Sequence, residues 1–219
     1  MVNRFTLAGL LTVLSIFALG VLVFSVADGS EPAPIEAEAT TPPSPIAAAP
    51  AEPTATATAA PKAAATPLQA AAKAAGCELK SPPNEGQEHV PQPTTIADYG
   101  SNPPTSGVHA PEPAPVGIYD RKSAPDLEFT VHSLEHGRIN VQYAEDVPDA
   151  TVEQLAKFVE DTENGYHLLL FQNQTDMPYA VAATAWDHLI GCETFNAKTL
   201  TALGAFWKTY VDKAPEFDP

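Results

Sequence analysis

Six histidines, His89, His109, His132, His136, His167 and His188, fall in the later part of a 219-residue chain. Two of them share the segment Val131-His132-Ser133-Leu134-Glu135-His136-Gly137. Spacing decides what such a pair can do. On a strand, positions i and i+4 stand about 13 Å apart, too far for one metal ion. On a helical turn they lie on the same face. Gly137 suits the left-handed residue that ends a helix. The expectation is one helical turn, held between two strands, that offers two imidazoles to one ion. A third imidazole, His109, closes the run Asn102-Pro103-Pro104-Thr105-Ser106-Gly107-Val108. Consecutive prolines, hydroxyls and a glycine make a fixed loop. His132, His136 and His109 are therefore the predicted metal ligands, with His89 and Met177 as further candidates. Glu135 is expected to orient a histidine from outside the ligand set or to face solvent. Imidazoles with a thioether suit copper, and imidazoles with a carboxylate suit zinc. Copper is placed before zinc because Met177 is available. His167, in an apolar strand, and His188, beside Trp186, are read as structural.

Other chemistry was weighed on the same residues. His132, Glu135 and His136 spell H-x-x-E-H, in which two histidines bind zinc and the glutamate is a general base. That signature needs a helix continuing on both sides, whereas Gly137 and an alternating pattern follow at once. A metal-dependent hydrolase thus stands as an alternative. So does a metal-free binding module whose His and Pro motifs only build the fold. No nucleophile elbow, P-loop or dinucleotide fingerprint is present. An enzyme is not the favoured reading.

The elements that must position these side chains lie in residues 77–219. Residues 77–125 are rich in proline and turn residues, and read as an irregular arm over a core. Leu127 to Val131 reads as a short strand. Arg138 to Tyr143 alternates and reads as a half-buried strand. Thr151 with Gln154 suggests the start of a helix, stopped by Asn164-Gly165. Tyr166 to Phe171 and Tyr179 to Ala185 read as strands, and residues from about 196 to Val211 as an amphipathic helix. The fold class is α+β: a small mixed or mainly antiparallel sheet, two helices and a Pro-rich N-terminal arm.

The remainder of the chain sets location. Phe5 to Ala27 is an uncharged apolar run of 23 residues behind Arg4, long enough for a helix to cross a hydrocarbon core of about 30 Å. Residues 1–27 are read as a transmembrane anchor with the N-terminus in the cytoplasm, or as a signal segment cleaved near Ala27. Residues 28–76 are Ala-, Pro- and Thr-rich and read as a disordered linker, although Leu68 to Ala75 could form a short helix. Both readings put the folded block outside the cytoplasm, on the cell membrane or secreted. The expected partner is the membrane, through residues 5–27. The net charge is −16 and no basic patch exists, so nucleic acid is excluded as a partner. No protein partner can be read. Cys77 and Cys192, in an oxidising compartment, are expected to form one disulfide.

The motifs Asn102 to His109, His132 to Gly137, Thr184-Ala185-Trp186 with Cys192 after it, and the closing Pro215-Glu216 resemble a bacterial family of unknown function, domain of unknown function 3105. The resemblance covers roughly residues 77–217. Val108 departs from the family pattern, which usually has proline there. The resemblance implies a domain behind a membrane segment or signal and implies no activity.

Overall fold

The computed structural model describes residues 65–216. The predicted span at 5–27 and the linker up to residue 64 lie outside them. Among the described residues no helix is long and apolar enough to cross a membrane.

Four helices and a six-stranded mixed sheet make up the described fold, which is α+β as expected but larger in both counts. The helices are α1 (Pro67–Ala75), α2 (Leu127–Glu135), α3 (Asp149–Asp161) and α4 (Ala197–Tyr210). The strands are β1 (Glu78–Lys80), β2 (Gly117–Ile118), β3 (Ile139–Tyr143), β4 (Leu168–Gln172), β5 (Val181–Ala185) and β6 (His188–Cys192), in the order β1-β6-β5-β3-β4-β2. β4 runs parallel to both β3 and β2, and the other three pairings are antiparallel.

The two faces of the sheet differ. Ile139, Val141, Tyr143, Leu168, Leu170, Val181, Ala183 and Ile190 form one core with α1, α3 and α4. The opposite face carries Leu169 and Phe171, against Ala114 of the arm and Phe129 of α2. Here β3 is not half-buried: Asn140 and Gln142 are buried too. Asn140 Nδ2 donates to the Thr130 carbonyl of α2, and Gln142 Oε1 accepts from Asn173. Alternation of apolar and polar residues normally marks a wet face. In this chain it marks a second layer that satisfies buried amides, as burial demands.

Two further expectations change. Residues 67–75, assigned to the linker, form α1. Thr66 and Gln69 close a capping box, Pro67 takes the first turn, and Gly76 ends the helix at φ 74°, so each terminus carries its expected signal. Leu68, Ala72 and Ala75 are buried in the core shared with α4. The segment Leu127 to Val131 is helix, not strand. Its residues from Thr130 to Glu135 are all buried, because α2 is covered by the sheet on one side and the arm on the other. A helix without a wet face lacks the 3.6-residue polar rhythm that would reveal it. Cys77 and Cys192 form the expected disulfide, joining the start of β1 to the end of β6.

Candidate metal centre

His132 sits in the last turn of α2 and His136 is its C-cap. Gly137 N donates to Leu134 O and Arg138 N to Ser133 O, the paired bonds of a Schellman ending. Gly137 has φ +76°, and a Cβ on it would stand 2.7 Å from Asp212 Cα. Glycine is thus required twice, for conformation and for the passage of the C-terminal segment. The left-handed Gly137 is as expected; the helix ahead of it has 9 residues, about two and a half turns instead of one.

The Asn102–His109 loop is fixed from several directions. Asn102 and Thr175 exchange two hydrogen bonds of 2.6 Å. Tyr99 Oη donates to Val108 O at 2.7 Å, and Glu85 N donates to the buried Ser106 Oγ. The outer arm then zips onto the loop: Val90 N donates to His109 O and His109 N to Glu88 O, placing His89 opposite His109.

These three pieces bring one donor atom each of His89, His109, His132 and Glu135 within 4.8 Å of one another. Donors 2.0–2.1 Å from a tetrahedral zinc lie roughly 3.4 Å apart, so modest side-chain shifts would close the set on an ion. The group could hold a metal. Its outer contacts are those that metal-bound side chains use. His109 Nδ1 donates to Gly107 O at 2.7 Å, and His132 Nδ1 to Ala110 O at 2.5 Å. A carbonyl can only accept, so each Nδ1 carries a proton, and in the neutral ring Nε2 then presents a lone pair. Gln87 Nε2 donates to Glu135 Oε1 at 2.6 Å, leaving Oε2 for the centre.

His109 Nε2 lies 2.8 Å from Glu135 Oε2, and the two side chains are 0% and 1% exposed. Yet neither atom makes a hydrogen bond. A positive charge between two such buried atoms relieves the contact, either a proton on His109 Nε2 or a metal ion held by both. Burial, opposed by the bond to Ala110 O, holds the His132 ring below the usual imidazole range, which keeps it neutral, as a ligand must be.

The predicted residues divide as follows. His109 and His132 meet in the cluster. His89 joins them, its Nε2 3.7 Å from Glu135 Oε2. Glu135 is buried and does not face solvent; its Oε2 meets His109 Nε2 and stands among the atoms that could hold an ion. His136 is beside the four and not among them: its Nε2 is 2.7 Å from His132 Nε2 and 3.9 Å from Glu216 Oε2. Met177 packs with Tyr179, Ala182 and Leu189 in a separate apolar cluster, which removes the reason for placing copper first. His167 pairs with Asp212 at 2.8 Å, and His188 with Ser81 at 3.0 Å, stacked on Tyr210; both hold the fold. Trp186 was not foreseen. Its ring meets His109 edge-on at 6.1 Å and packs with Val131 and Leu134, closing the inner side of the cluster.

No curated protein and no solved structure matches the chain. Residues 89–218, which include all four converging side chains, match the family described as Protein of unknown function (DUF3105), over more than half of the chain, and the chain belongs to that family.

Proposed function

We propose that the domain binds one divalent transition metal, zinc before copper, through His89, His109, His132 and Glu135, and that it handles metal outside the cytoplasm as a membrane-tethered protein. The observation that carries this is the convergence of one donor atom from each of these four side chains within 4.8 Å, with His109 Nε2 and Glu135 Oε2 buried and 2.8 Å apart. Three imidazoles with one carboxylate and no thioether favour zinc. Four protein donors leave no vacant place of the kind catalytic zinc keeps for water, which favours binding over hydrolysis. The disulfide agrees with an oxidising compartment, and the apolar run at 5–27 supplies the tether.

The test is titration of the full chain, purified in detergent and stripped of metal, with zinc and with copper(II), followed by calorimetry and elemental analysis. One equivalent bound by the wild type, and none by His109→Ala or His132→Ala, supports the reading. Equal uptake by all three, or uptake by none, refutes it.

A further inference from the structure

The four ligands are not held alike. Glu135, His109 and His132 are buried, at 1%, 0% and 3% exposure. His89 is 45% exposed. The polar atom of each buried ligand that faces away from the centre is fixed: Gly107 O and Ala110 O hold the two rings, and Gln87 holds the carboxylate. The ring of His89 makes no hydrogen bond. It is placed by stacking, parallel to His132 at 5.0 Å and edge-on to His109 at 4.8 Å. Its backbone is held by the hydrogen bonds of Glu88 and Val90 to His109 and of Gly86 to Gly107, in a run from Pro83 to His89 whose residues are all exposed. Stacking fixes a plane more weakly than a directed bond fixes an atom.

We propose that His89 is the leaving ligand of this centre. Metal enters and departs through the face that His89 covers, and the coordination place it vacates is taken by an external donor, an imidazole or a thiolate. The metal is never bare in the exchange: the incoming donor bonds as the His89 nitrogen detaches, and the three buried ligands stay in place. The site then acts as a transfer site, because three ligands stay fixed while the fourth, exposed one exchanges. This rests on the metal reading above and gives it a direction.

The experiment uses the zinc- and cobalt(II)-loaded full chain in detergent. Stopped-flow transfer of zinc to a chromophoric chelator is followed for the wild type, His89→Ala and His109→Ala. His89→Ala is expected to keep one metal per chain, to bind it at least about 10-fold more weakly, as loss of one ligand contact implies, and to release it at least about 10-fold faster. Free imidazole is expected to restore the cobalt visible spectrum and the slow release in His89→Ala. It should restore neither in His109→Ala, whose vacated place is sealed from solvent. The proposal is overturned if His89→Ala releases zinc at the wild-type rate, or loses binding as fully as His109→Ala with a wild-type circular dichroism spectrum and no imidazole rescue. A wild type that binds no metal would instead sink the metal reading itself.

Discussion

Substituting Glu135→Gln separates a metal ligand from a structural carboxylate by the signs of two effects. In the native protein the Gln87 amide holds Oε1 at 2.6 Å, while Oε2 faces the lone pair of His109 Nε2 at 2.8 Å. The glutamine isostere keeps the first contact and turns its NH₂ toward His109. An oxygen–nitrogen conflict becomes a hydrogen bond, worth about 1 kcal/mol, so the metal-free variant should melt at the wild-type temperature or about 2–4 °C above it. Metal affinity moves the other way. A structural zinc site supplies about 10–16 kcal/mol. Shared over four donors, that is roughly 2.5–4 kcal/mol each, or about 10²- to 10³-fold in Kd at 1.4 kcal/mol per decade. Calorimetric melting of the metal-free full chain and zinc titration of the same samples give both quantities. The reasoning is refuted if the metal-free variant melts several degrees lower and zinc affinity is unchanged, because Glu135 would then be a buried carboxylate that only braces His109.

The disulfide closes a loop of 115 residues in sequence, for which chain entropy predicts about 4–5 kcal/mol; reduction, or Cys192→Ser, should lower the melting point on the order of 10 °C, and an unchanged midpoint would contradict this. Burial is the main cause that holds His132 and His188 below the usual imidazole range. The unfolded chain takes up protons on both near pH 6.5 while the folded chain does so only at lower pH. Their contribution to metal-free stability is therefore complete above about pH 6.5 and is lost as pH falls below it. Urea midpoints between about pH 8 and about pH 5.5 should decline on acidification, less so in His188→Gln, and a rise would show the shifts to have the opposite sign.

What the sequence disclosed followed from where water is. α4 and β3 could be read because their local signals are strong, and the Cys77–Cys192 pair because two cysteines expected in an oxidising compartment have one partner each. α2 could not be read. Its two polar positions that matter most, His132 and Glu135, lie inside, so the helix looks like a strand followed by a corner. β6 was missed because His188 to Cys192 follows β5 after only the Trp186-Asp187 turn, and Asp187, at φ 61°, is not one of the usual glycine signals for so tight a reversal. In the candidate site, His109 and His132 were legible from their motifs. His89 carried no motif, and only the bridge between Glu88, Val90 and His109 brings it in. Nothing local marks Glu135 as a ligand, since a glutamate between two histidines on a helical turn equally well orients a ring or faces solvent. α1 is legible only as a possible short helix inside the linker, because alanine is common to helices and to linkers alike; the deciding signals are the Thr66-Pro67-Leu68-Gln69 cap and the Gly76 stop.

The Cys77–Cys192 bond also fixes how the domain answers to force. A pull arriving along the chain ahead of Thr66 can peel α1 away, and then it meets Cys77. There the load passes through sulfur into β6, an interior strand paired on both sides, and bypasses β1, the three-residue edge strand that would otherwise unzip first. His89 and His109 come after Cys77 in the chain, in the loop the bond closes. A pull on the chain ahead of Cys77 therefore loads β6 through the disulfide before it can stretch the arm, and the geometry around the four side chains is insulated from it.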